Sequence, residues 1–299
     1  MANLKELKER IGSVRNTKKI TSAMKLVAAS KLKRATDRIT DMRPYTDKLF
    51  GILQNILANV NVEELNLNYS KESEDVKKVL IILMTSDKGL CGGFNSNLVK
   101  KANNLITEKY SGINKDGNIT LITIGKKGFD AFKRDENLNI VDAYMDLFTK
   151  LKFENAADTA EYAMNGFLDG NYDRVHVVYS EFKNAATQIF TEEQFLPIAE
   201  FKAAEGEEKD SFKADYIFEP AKETLVKELI PKILKTQFFR YLLDTNASEH
   251  GARMVAMDAA TENAGSLEKE LNLVYNRQRQ AAITTQILEI VGGAAALES

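Results

Sequence analysis

Proline is scarce at both ends of this chain, and that constrains the fold more than any other feature. Between Asn3 and Asn61 the only proline is Pro44, and none follows Pro231. Proline interrupts helices, so both stretches are free to run as unusually long ones. Leu4, Leu7, Ile11 and Val14 step by three and four; the stripe then shifts through Ile20, Met24, Val27 and Leu32 and continues at Ala35, Ile39 and Met42. Near the other end Leu267, Leu271, Val274, Ala281 and Leu288 fall on one heptad frame that also holds Gln278 and Thr285. Pro220 suits a first helical turn, and Pro231 is expected to break or kink the second long helix. A helix running from Pro220 to the end would be ~115 Å long, too long for a compact domain. The expected fold is α/β: a long antiparallel coiled coil of residues 1–61 and 220–299 beside a Rossmann-like α/β domain at 76–219.

The middle supplies that domain. VKKVLIILM, NITLITIG, NLNIVDAY and DRVHVVYSEF read as strands, separated by helical stretches at Ser96–Tyr110, Lys126–Arg134 and Glu154–Leu168. Alternation of this kind predicts a mostly parallel sheet. TQIFTEEQFLPI and ADYIFEP add extended segments, and AAEGEEKDS between them reads as a mobile loop.

Composition removes several functions. The formal charge is −2, yet residues 1–48 hold 13 Lys or Arg against five Asp or Glu, a net of +8. These cations have no interleaved aromatic residues, so base stacking on a nucleic acid is unsupported. The start, MANLKELKERIG, has no apolar signal segment, and AAITTQILEIVGGAAAL is too interrupted to span a bilayer, so membrane contact is expected only through a partner. Cys91 is the sole cysteine, which excludes an internal disulfide. No CxxC, HxxxH or carboxylate cluster offers a metal site.

One stretch invites a catalytic reading. TSDKGLCGGFN, Thr85 to Asn95, joins a strand to a helix, where α/β folds hold phosphates. A phosphate loop needs GxxxxGK followed by Ser or Thr; here Lys88 precedes the glycines and Phe94 follows them. Gly89, Gly92 and Gly93 are expected to provide positive φ for a tight turn. Cys91 lacks a base, since the only histidines are His176 in a strand and His250 on the far helix. No catalytic, cofactor, metal or small-molecule site is expected. A nucleotide-dependent enzyme and a self-dimerising coiled-coil tether stand as rivals, separable by ATP binding and by sedimentation.

Four stretches in order, RIGSVRNTKKITSAMKLVAASKLKRA, SDKGLCGGFN, ASEHGARMVAMDAATENA and LNLVYNRQRQAAITTQILEIVGGAAAL, resemble the γ subunits of F-type ATP synthases. The resemblance implies a monomeric rotor shaft within a complex, its terminal helices wound inside an α3β3 ring. Its α/β domain would touch the ε subunit and the membrane c-ring. It also implies that Lys18, Lys19, Met24 and Lys25 face the β subunit's acidic lever. Arg253, Arg279, Gln280, Thr284 and Glu289 match positions expected to bond catch loops of the ring. Gln286 departs from the Glu common in the family, so an ionic contact there is not implied. The two-cysteine insertion of the chloroplast form is missing, which favours a bacterial protein at the cytoplasmic face of the plasma membrane.

Overall fold

The computed structural model describes residues 4–58, 69, 75–198 and 222–297. The long helices are α1 (Leu4–Ala58) and α6 (Lys222–Leu297). Between them come β1 (Val79–Met84), α2 (Phe94–Asn104), α3 (Ser111–Lys115), β2 (Ile119–Ile124), α4 (Lys126–Phe132), β3 (Leu138–Val141), α5 (Phe153–Leu168), β4 (Arg174–Phe182) and β5 (Gln188–Leu196). The loop at 203–211, the extended segment ADYIFEP and Pro220 lie outside the described residues. The chain divides into two compact units, Met1–Ala29 with Arg253–Ser299 and Ser30–Ala252.

In the larger unit five strands pair in the order β3-β2-β1-β4-β5, the first four parallel and β5 antiparallel to β4. That is the order of one half of a doubly wound sheet closed by an antiparallel edge. VLIILM and ITLITI are unbroken apolar or β-branched runs because β1 and β2 are covered on both faces. Leu80, Ile82, Met84, Val175 and Val177 point to the α5 side, where Ala160, Ala163 and Phe167 meet Ile233, Leu234, Phe238 and Leu242 of α6. Val79, Ile81, Leu83 and Val178 point to the other side, against Phe94, Leu98 and Ala102 of α2.

Two local expectations need correction. The helix expected over Ser96–Tyr110 ends its α-helical part at Asn104 and passes through a π-helical turn, Leu105–Lys109. The wider turn brings the Tyr110 hydroxyl to 2.7 Å from Nε2 of the fully buried His176. Burial, then the charges of Lys109 and Arg174, hold the His176 pKa down at about 3. The break expected at Pro231 is not found, since α6 runs unbroken from Lys222. Ile230, Ile233 and Leu234 beside it are 2 to 3% exposed, and their burial offsets the lost backbone hydrogen bond.

At the end of β2 the chain needs glycine. Gly125 has φ 91°, and a Cβ there would lie 2.1 Å from the Thr85 carbonyl oxygen. This close approach joins the carboxyl ends of β1 and β2.

Candidate functional site: the sheet crevice and the helix seam

A doubly wound sheet holds ligands where the strand order reverses, at the carboxyl ends of the strands. In this sheet that crevice lies between β1 and β4, and α6 fills it. Beyond the pair Leu83 and Val178, β4 outruns β1. The Ser180 N–H donates to Thr245 Oγ1 at 3.3 Å, and Ser248 Oγ donates to the Ser180 carbonyl at 3.3 Å. Thr245 also reaches the Met84 sulfur at 3.8 Å. Farther along α6, Gly251 passes so close to the β4–β5 turn that a Cβ would sit 3.2 Å from Ala185 backbone atoms. Ala252 packs with the cluster on the α2 face, so α6 crosses the carboxyl edge of the sheet from one face to the other.

The glycine-rich turn is equally self-contained. The Ser86 N–H donates to Asn95 Oδ1 at 3.0 Å and its hydroxyl to the Lys88 carbonyl at 2.7 Å. Asn95 Nδ2 contacts Cys91 Sγ at 3.2 Å, and Cys91 is only 2% exposed. Of the three glycines expected at positive φ, only Gly92 is there, at 61°. The other left-handed residue of the turn is Leu90, at φ 64°. Gly93 has φ −81° because it already caps α2.

The smaller unit is an antiparallel helix pair. Moving along α1, Lys25 meets Asp258, Thr21 meets Thr261, and Lys18 and Arg15 meet Glu268. Leu7 and Ile11 then meet Leu271. The side of α1 turned to its partner is one unshifted frame: Leu7, Ile11, Val14, Lys18, Thr21, Lys25 and Ala28 are buried or half-buried, stepping by four and three. The same spacing continues at Leu32, Ala35, Ile39, Met42, Thr46 and Leu49.

This corrects the expected stripe. Ile20 and Val27 are 60% and 58% exposed, and Leu26 is 69% exposed. Following apolar residues alone puts the sequence frame out of step here, because the true seam carries Lys18, Thr21 and Lys25. On α6 the expected frame is half right. Leu271, Val274 and Gln278 lie on the paired side, but the positions around them are Thr261, Glu268, Tyr275 and Ala282, while Leu267, Ala281 and Leu288 are exposed. Glu268 is drawn inward by two cations, at 2.8 Å from Arg15 Nε and 3.3 Å from Lys18 Nζ. These bonds, Arg15's first, hold its carboxyl below the usual carboxylate range.

Each residue singled out from the sequence now has a place. Lys18 and Lys25 lie half-buried on the seam and pair within the chain, Met24 is half-buried beside them, and Lys19 is exposed. Arg253 is half-buried and engaged within the chain. Arg279, Gln280, Thr284 and Glu289 are exposed on a run from Arg279 to Ala294 in which all but Ala282 are exposed. Gln286 is exposed on the same run. Ile283, Ile287, Ile290 and Val291 form one apolar face of it, with Leu288 alongside, each 46 to 72% exposed. The tip also includes Leu297, at the last described helical position. Sequence reasoning missed Glu268, Asp258 and the Thr21–Thr261 pair; charge complementarity at antiparallel positions was the signal that could have found them.

A helix pair with a polar seam and outward apolar residues, joined in sequence to a sheet whose ligand crevice is closed, has counterparts among known proteins. The family model described as ATP synthase matches residues 3–297. The ATP synthase gamma chain of Cytophaga hutchinsonii is 55% identical over 300 residues, covering all of both chains. That of Flavobacterium johnsoniae is 50% identical over 297 residues, 99% of each. A chain from the central stalk and c-ring structure of the Tetrahymena thermophila mitochondrial ATP synthase superposes with a TM-score of 0.58 at 27% identity. The match covers 81% of this chain and 99% of that one. A chain of the Euglena gracilis mitochondrial enzyme shares the fold, with a TM-score of 0.64 at 19% identity over 98% of this chain and 94% of that one. The chain belongs to the ATP synthase gamma-chain family.

Proposed function

We propose that this chain is the central rotor shaft of an F1Fo ATP synthase, carrying torque from the ion-driven c-ring to the three catalytic β subunits and doing no bond chemistry itself. Its partners are then the α3β3 ring around the helix pair, the ε subunit and the c-ring. Residues 1–61 and 220–299 serve as the shaft and 76–219 as its globular part. Lys19, Met24, Arg253, Arg279, Gln280, Thr284 and Glu289 contact the ring, and Lys18 and Lys25 add charge that the seam already engages in part.

The observation that carries this reading is the apolar surface of the helix pair, outward at Ile20, Leu26 and Val27 on α1 and at Ile287, Ile290 and Val291 on α6. Exposed apolar residues in such a grouping mark an interaction surface. Apolar contact has no preferred direction, so such a surface can turn inside a collar without locking to it. The non-catalytic part is supported by the filled crevice and by the turn around Cys91, whose polar groups are bonded to one another.

No helix among the described residues is long and apolar enough to cross a membrane. As part of the same reading, the chain sits at the cytoplasmic face of the plasma membrane, held there by the c-ring. Equilibrium ATP binding to the purified chain tests the first part: saturable micromolar binding overturns the non-catalytic assignment. Protease digestion of inverted against right-side-out membrane vesicles tests the side, since cleavage should occur only in the inverted ones.

A further inference from the structure

A cavity of about 240 Å³ opens in the larger unit between α1, the end of β4 and α6. It is smaller than the ~300–1,000 Å³ of drug-sized pockets, so it suits a short chain rather than a nucleotide. Its walls are apolar at Ile39, Met42, Phe182 and Leu243. Its charged groups are Asp244, Glu181, Arg43 and Arg240. They are not equivalent in depth. The Asp244 side chain is 7% exposed, whereas that of Arg240 is 52% exposed and stands at the mouth.

The inner charge is therefore an acid, and its pairing is poor. Arg240 Nε lies 3.7 Å from Asp244 Oδ2, outside hydrogen-bonding distance and far from a two-pronged guanidinium pair. Thr46, also on the wall, donates its hydroxyl to the Met42 carbonyl at 3.1 Å. Burial, together with the neighbouring Glu181 charge, raises the Asp244 pKa to about 6 against the pull of Arg240 and Arg43. A buried carboxylate held only by so long an ion pair costs stability, and such a cost is commonly retained where a site binds something. Among the described residues no three carboxylate, histidine or cysteine side chains gather, so a metal would have too few ligands here. An ammonium group needs no more than the two carboxylates present, and methylenes pack on apolar walls while their charged end seeks a polar partner.

We propose that this cavity binds an aliphatic chain ending in a primary ammonium, its head on Asp244 with Glu181 on the same wall, its methylenes against Met42, Phe182 and Leu243. Bound, it replaces the long Arg240 contact with direct charge-assisted hydrogen bonds. The same chemistry is offered by a free diamine and by the lysine side chain of a partner.

Calorimetric titration of the full chain at pH 8 and fixed ionic strength tests this, with 1,5-diaminopentane and a capped tripeptide carrying one central lysine as probes. Saturable binding of either supports the site; binding of the diamine alone identifies a free amine, and binding of the tripeptide alone a partner's lysine. Asp244→Asn should weaken the affinity about tenfold or more. Arg240→Gln removes a competing cation from an exposed position and should tighten binding, with thermal melting checking that both variants fold. Lowering the pH from 8 to 5 should cost about tenfold, as Asp244 takes a proton. The proposal is overturned by no saturable binding at pH 8, by equal affinity in Asp244→Asn, by weaker binding in Arg240→Gln, or by hexanoate binding in place of the amines.

Discussion

The two units of this chain are held together by different physics. In the larger one, Phe238, Leu242, Leu80 and Ile82 are fully buried and hydrophobic burial dominates. In the smaller one, the meeting faces carry Lys18, Thr21, Lys25, Thr261 and Glu268, while Ile20, Leu26 and Val27 face outward. Polar seam residues fix the register of a helix pair at a cost in stability. Apolar residues turned outward make sense only if something else covers them. The larger unit is thus organised to be stable alone, and the smaller one to be completed by a partner.

The largest effect should come from breaking the apolar side of this contrast. Phe238→Ala removes a side chain that is 0% exposed and should cost about 3–5 kcal/mol. Urea unfolding followed by the near-ultraviolet signal of the packed Tyr179 and Tyr241 reads it; a loss below about 1 kcal/mol would mean this core is loosely packed.

The next effect is pH-dependent and concerns Asp244 of the larger unit, whose ion pair with Arg240 is long. The folded-state pKa of Asp244, raised to about 6, lies above that of an unfolded carboxylate. Its proton therefore contributes stability that is fully present below about pH 4 and lost as the pH rises through about 6. Asp244→Asn should stabilise the chain at pH 7.5 by up to about 3 kcal/mol and by nearly nothing at pH 4. His176 has the opposite sign. Held neutral at about 3, it contributes stability above about pH 6.5 that is lost as the pH falls toward 3. Melting temperatures of parent and variant across this range check both slopes, and a gain that is constant with pH would contradict the account of Asp244.

A smaller effect should mark the seam. Glu268→Gln weakens the contacts to Arg15 and Lys18, whose side chains are about half exposed, so the loss of stability should be small and seen only at low salt. Proteolysis of the helix pair at two salt concentrations reads it. A loss that persists at high salt would place Glu268 among groups that hold the pair by packing.

The contrast also explains what the sequence could convey. β1 and β2 were legible because burial on both faces leaves an apolar run, and the mostly parallel pairing followed from alternation with helices. The seam was legible where apolar residues occupy it, at Leu7, Ile11, Ala35 and Ile39. It was lost at Lys18 to Ala28, where the frame is set by Asp258, Thr261 and Glu268 more than two hundred residues away. The closing of the crevice by Thr245 and Ser248 is non-local in the same way. The π-helical turn before Tyr110 had no local signal at all, since it is fixed by the buried imidazole of His176.

The smallest effect on folding should come from the outward residues. Ile20→Ser with Val27→Ser should change the stability of the isolated chain by no more than about 0.5 kcal/mol. Assembly with α and β subunits should nevertheless fall, measured as the yield of complex on gel filtration. Equal yields would show that this face is not covered by the ring.

The central claim, that the helix pair turns within the ring, is met most directly by watching it. Cys91 is buried, so a single cysteine placed at exposed Glu136 offers a selective attachment point for a bead on the larger unit. In a complex of this chain with its α and β subunits fixed to glass, addition of ATP should drive sustained rotation of the bead in one direction. ATP hydrolysis by the same assembled complex with the bead stationary would contradict the account.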